Sequence, residues 1–235
     1  MKTLGIIGGL GPESTIDYYR LIIARYREQT GGRGYPHIVI VSLDVDKGIA
    51  MLDASQLEQL AEYLLGGIRQ LANARADFAL VAANSPHIVF DRLRETSPLP
   101  LISIVEATCE AVQRVGLKRV GLLGTRFTMS GRFYRDVFEK QEITLITPTE
   151  EEQARIHDKY INELLLGKFL PETRDYLQQV VVKMKDRDGL EGLVLAGTEL
   201  PLILRGVAVT GLPVFDTTQI HVRVAVAKML DDRPL

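Results

Sequence analysis

Leu4-Gly-Ile-Ile-Gly-Gly-Leu-Gly-Pro-Glu-Ser-Thr15 opens the chain, and Val120-Gly-Leu-Leu-Gly-Thr125 repeats its first half, with Gly5 matching Gly121 at an offset of 116. Each is a short apolar run bounded by glycine, the pattern of a strand buried on both faces. Two more pairs follow in the same order. Phe78-Ala-Leu-Val-Ala-Ala-Asn-Ser85 resembles Gly192-Leu-Val-Leu-Ala-Gly-Thr-Glu199, with Ala83 opposite Gly197 at an offset of 114. Leu99-Pro-Leu-Ile102 resembles Leu212-Pro-Val-Phe215, with Pro100 opposite Pro213 at an offset of 113. Buried strands all reuse Val, Leu and Gly, so one match would mean little. Three collinear matches at nearly one offset point to a duplication.

The segments between these strands carry helical spacing. Ile16, Tyr19, Ile23 and Tyr26 predict an amphipathic helix after the Gly-Pro turn, and Leu57 to Leu71 repeats apolar residues at 57, 60, 64, 68 and 71. Ile38 to Ser42 reads as a strand. Ala107 to Val115, Glu151 to Leu165, Arg174 to Met184 and Ile220 to Leu230 read as helices. Such alternation predicts parallel sheets covered on both faces. The expected fold is α/β, with two pseudo-symmetric flavodoxin-like three-layer lobes and an active-site cleft between them. The first lobe is expected over 1–99 plus 212–235 and the second over 100–211. Ligands in such sheets bind at the carboxyl ends of the strands.

Composition excludes several functions. The 235 residues carry 28 Lys and Arg against 30 Asp and Glu, a net charge of −2 with no basic block, which argues against nucleic acid as a partner. One cysteine, Cys109, excludes a disulfide framework and any paired-cysteine metal site, and its helical neighbours Ala107 and Val112 suggest a buried, inert thiol. The four histidines are scattered without HExxH spacing, so no metal is expected. No apolar run reaches the ~18 residues of a membrane span, and Glu13 and Asp17 follow the first strand too soon for a signal peptide. A cytoplasmic location without membrane contact is the expectation.

Four strand-end segments are candidate site material. Gly8-Gly9-Leu10-Gly11-Pro12 allows close backbone approach and leads into a helix N-terminus that favours an anion, yet it matches neither GxGxxG nor a P-loop. A ligand-free tight turn is the other reading. Ala83-Asn84-Ser85-Pro86-His87 places several hydrogen-bonding groups beyond a buried strand; a simple capping turn would use the same residues. Gly124-Thr125-Arg126-Phe127-Thr128 and Gly197-Thr198-Glu199 stand at the equivalent places in the second repeat. A carboxylate or phosphate-like group is expected near Gly9, Leu10 and Gly11, with Asn84, Ser85, Thr125 and Thr198 donating to it.

Together these segments resemble the aspartate/glutamate racemase family, in its broader amino-acid racemase branch. The opening through Thr15, Asn84-Ser-Pro-His87, Leu122-Leu-Gly-Thr-Arg-Phe-Thr-Met129, Thr198-Glu-Leu200 and Pro213-Val-Phe-Asp216 are similar to its ordered signatures along nearly the whole chain. The resemblance implies a homodimeric, cytoplasmic isomerase that needs no pyridoxal phosphate, cofactor or metal, and whose partner is a small amino acid or dicarboxylate. It also implies paired acid/base groups that remove and return the α-proton, normally two cysteines. Their places are Ala83 and Gly197 here, and neither side chain titrates. Three readings stay open. Acid/base duty has moved, with His87 and Glu199 as possible surrogates; the chain binds without catalysis; or one or both replacements were introduced to trap a substrate. Lys47 stands where relatives often carry an arginine for a distal carboxylate, and Leu164-Leu-Leu166 before Lys168 replaces the second cation some relatives have, so the side-chain preference stays open.

Overall fold

The computed structural model describes residues 1–204 and 211–231. Within them the chain divides into two compact units, one of Met1–Ile104 with the segment from Thr218 onward, the other Val105–Thr217. The expected lobe residues 205–210 and 232–235 lie outside the described residues.

The first unit holds a parallel sheet of β1 (Leu4–Gly8), β2 (Ile38–Ser42), β3 (Phe78–Val81) and β4 (Leu101–Ile102), in the order β2-β1-β3-β4. The second repeats it with β5 (Arg119–Gly124), β6 (Thr144–Ile146), β7 (Gly192–Ala196) and β8 (Val214–Asp216), in the order β6-β5-β7-β8. Equivalent registers match: Leu4 pairs with Phe78 as Val120 pairs with Gly192, and Ala79 pairs with Leu101 as Leu193 pairs with Val214. The duplication read from the strand sequences is thus a duplication of topology. Central strands β1, β3 and β7 are buried throughout because helices cover both faces, while edge strand β2 is half-exposed.

Both fourth strands close the sheet that precedes them. Ala79 N–H donates to Pro100 O and Leu193 N–H to Pro213 O, each at 2.9 Å. The expected boundaries at 99/100 and 211/212 would have assigned each of these strands to the other lobe. The chain instead leaves a unit only after its fourth strand has paired, through the helices Ile104–Val115 and Thr217–Leu230.

The helix Pro12–Gln29 starts with proline at its first turn and buries Tyr18, Ile22 and Tyr26. This stripe differs from the expected one: Ile16 and Tyr19 are 44% and 47% exposed. Apolar residues ring much of this helix, so spacing alone left its orientation open. The sheet selects the face whose Tyr18 hydroxyl meets His221 at 2.9 Å. Leu4, Ile6, Phe78 and Leu80 share that core with Val222, Ala225, Val226 and Met229 of the last helix. In the helix Leu57–Asn73, Leu60, Leu64, Ile68 and Leu71 are buried as their spacing requires, and Leu57 lies at the surface. The sequence reading passed over β6, three residues on a sheet edge, and the short helices beside it.

Candidate functional site

Each unit gathers polar groups at the carboxyl ends of its two central strands. In the first, Ile7 pairs with Val81 and Ala82 N–H donates to Ile7 O at 2.8 Å, so the turn after β1 adjoins Ala83 and Asn84 after β3. Gly9 holds φ 77°, and a Cβ there would lie 2.2 Å from Leu43 O, so only glycine fits. Thr15 locks this turn, accepting from Gly9 N–H at 2.8 Å and donating to Gly11 O at 3.1 Å. The Gly9 amide is therefore used internally, and the anion expected at Gly9, Leu10 and Gly11 would have to be met by the rest of the turn. Lys47 stands exposed in the first turn of Val45–Asp53, beyond β2, whose N-terminus Asp44 caps.

Ser85–Val89 forms a 3-10 turn behind Asn84, and the buried His87 closes it. His87 Nδ1 lies 2.9 Å from Ala83 O, and Ile104 N–H donates to Nε2 at 3.3 Å. A carbonyl accepts only, so Nδ1 carries the proton; an amide donates only, so Nε2 does not. The ring is therefore a neutral imidazole with both nitrogens committed, stacked 4.8 Å from Phe90. Burial first, and then the neighbouring His221, lower its pKa to about 3. Of the two surrogates expected from the sequence, His87 is thereby held as a strut of the Ala83–Ser85 segment. His221 is built alike: Nε2 lies 3.1 Å from Ile102 O, Nδ1 faces Tyr18, and burial lowers its pKa to about 4.

In the second unit Leu123 pairs with Leu195 and Gly124 with Ala196, which sets Thr125 beside Gly197 and Thr198. Thr125 caps the helix Arg126–Ser130. Thr198 and Glu199 are buried, and Thr198 Oγ1 donates to Glu199 Oε2 at 3.0 Å. Tyr160, from the helix Glu150–Asn162, donates its hydroxyl to the same Oε2 in a short hydrogen bond and accepts from Glu199 N–H at 3.3 Å. Burial and the adjacent Glu199 carboxylate raise the phenol well above its ordinary pKa, so it stays protonated. The sequence reading did not single out Tyr160. Its only local signal was an aromatic with a polar tip at the inward positions shared with Ile156 and Leu164.

Cys109 is buried, and burial pushes its thiol up to about 11, in keeping with the inert role read for it. Lys168 is exposed; the lysine that pairs instead is Lys159, 3.0 Å from Glu163. Among the described residues no group of three or more His, Cys, Asp or Glu is placed to hold a metal ion, and no helix is long and apolar enough to cross a membrane.

Two parallel-sheet units of equivalent strand order, each with hydroxyl and amide groups beyond its central strands, define a class of duplicated α/β protein. The profile of the family described as Asp/Glu/Hydantoin racemase matches residues 7–225, and the chain belongs to that family. A solved structure of an Asp/Glu racemase candidate from Yersinia pestis is 34% identical, with TM-score 0.87 over 98% of this chain and 100% of the other. An aspartate racemase homologue from Pyrococcus horikoshii is 31% identical, with TM-score 0.83 over 98% and 100%. The broad specificity amino-acid racemase of Bacillus subtilis is 23% identical over 182 residues, 74% of each chain.

Proposed function

We propose that the protein binds an amino acid or dicarboxylate and exchanges its α-proton as a cofactor-independent, racemase-type isomerase, with far weaker two-base inversion than a thiol-bearing relative. The observation that carries this reading is the second strand-end cluster: a buried carboxyl, Glu199, held by two hydroxyls directly beyond Gly197. Asn84 and Ser85 in the first unit and Thr125 and Thr198 in the second are hydrogen-bonding groups for the substrate carboxylates, and Lys47, in the first turn of the helix after β2, is the cation for a distal one. Ala83 and Gly197 cannot titrate, and loss of a positioned acid/base commonly costs roughly 10²–10⁴ in rate. Thr125 and Glu199 serve the second cluster, and His87 orients the first.

A second reading, binding without turnover, is favoured by His87 alone, whose ring nitrogens are both engaged. The separating experiment is α-proton exchange in D₂O, followed by NMR over a panel of L- and D-amino acids, beside calorimetry with the same ligands. Exchange on at least one ligand supports the isomerase; binding without exchange supports the second reading. Racemisation of aspartate or glutamate at the rate of a thiol-bearing relative would refute the attenuation. A homodimer is also proposed, and sedimentation equilibrium tests it.

A further inference from the structure

Gly197 is not required by its backbone, because it is absent from the positive-φ glycines. It is required by Tyr160. A Cβ at 197 would lie 2.6 Å from Tyr160 Cε2 and 2.8 Å from its hydroxyl, distances that real side chains do not show. The phenol therefore occupies the space in which a side chain at 197 would begin, delivered from a helix 37 residues earlier in the chain. Three contacts fix it there: its proton goes to Glu199 Oε2, its oxygen accepts Glu199 N–H, and Thr198 holds the same carboxylate oxygen. No side chain of residue 197 intervenes between this hydroxyl and the strand end.

We propose that Tyr160 stands in for the side chain that position 197 lacks and, paired with Glu199, carries the α-proton of the substrate. The inference rests on the amino-acid reading above and names a carrier that reading leaves open. In the forward step the Cα–H bond breaks and its electron pair stays on the substrate, delocalised into the adjacent carboxylate. The released proton forms a new O–H bond on Tyr160 while the original phenolic proton passes to the Glu199 carboxylate. Return reverses both transfers, so protons and charge balance with no co-reactant. Glu199 is needed because the phenol, protonated at neutral pH, accepts a proton only as it gives one up. A single carrier returns the proton to the face it came from, so exchange should outrun racemisation.

Tyr160→Phe tests this directly, because the ring that fills the space over Gly197 remains and only the hydroxyl is lost. We expect α-proton exchange to fall by at least ~100-fold with ligand affinity by calorimetry within about threefold, and Glu199→Gln to fall comparably. Exchange by Tyr160→Phe at the wild-type rate would overturn the role of Tyr160 and leave the amino-acid reading intact. The double variant Tyr160→Ala, Gly197→Cys exchanges the hydroxyl for a thiol in the same space. If it exchanges α-protons while the wild type does not, the place is correct and Tyr160 is not the carrier, which also overturns the proposal. No exchange from either protein overturns the isomerase reading and the proposal with it, and calorimetric binding of the same ligands then supports binding without turnover.

Discussion

Acidification should destabilise the first unit through two buried histidines. His87 and His221 are held as neutral imidazoles with pKa values of about 3 and about 4, depressed chiefly by burial. An unfolded histidine titrates near 6.5, so below that value the unfolded chain binds protons that the native fold refuses. Stability is therefore full above pH 6.5 and is lost as pH falls toward the native values, with a slope of about 1.4 kcal/mol per pH unit for each histidine. Between pH 7 and 5 each should remove about 2 kcal/mol, together about 4, a large part of an ordinary domain's stability. Carboxylates such as Glu163, lowered by its hydrogen bond from Thr173 and by Lys159, lose their contribution only as pH falls below their usual range near 4.5. The window from 6.5 to 5 thus isolates the histidines. The chain has no tryptophan, so urea unfolding would be followed by far-UV circular dichroism at pH 7, 6, 5.5 and 5. His87→Gln and His221→Gln should each halve the pH slope. A wild-type loss below about 1 kcal/mol across the window, or an unchanged slope in both variants, would refute the assignment of both rings as buried and neutral.

Other perturbations have equally local causes. Gly197→Cys alone should cost about 1–3 kcal/mol in urea unfolding by overpacking against Tyr160, and adding Tyr160→Ala should recover much of that loss. Gly9→Ala should cost about 2–3 kcal/mol and lower the melting temperature, since both the positive φ and the Leu43 carbonyl oppose a side chain there. Asn84→Ala should weaken dicarboxylate binding in calorimetry; unchanged affinity for every ligand the wild type binds would remove Asn84 from the site. Cys109, with its thiol pushed up to about 11, should react with a thiol-labelling reagent at pH 8 far more slowly in the native state than in urea.

The candidate site was legible in the sequence as four strand-end segments, because glycine and polar residues directly after a buried apolar run mark where a parallel strand ends. Roles within it were not. His87 and Glu199 looked alike as titratable groups three to six residues past a strand, yet one ring is closed off by Ala83 O and Ile104 N–H and the other group accepts the hydroxyl of Tyr160. Nothing adjacent to either residue distinguishes them.

The sequence by itself determined three of the four duplicated strand pairs, the parallel α/β class, the buried positions of the helix Leu57–Asn73 and the glycine turns. All of these follow from apolar periodicity and backbone freedom, which act between near neighbours. Only the tertiary structure decided that Tyr18 and Ile22, beside the expected Tyr26, face the sheet instead of Ile16, Tyr19 and Ile23, that β4 and β8 close the sheets before them, and that a tyrosine fills the space above Gly197. Those outcomes depend on which distant groups satisfy one another's volume and hydrogen bonds. Tyr18 meets His221 across 203 residues and Tyr160 meets Glu199 across 39, separations over which sequence spacing carries no geometric information.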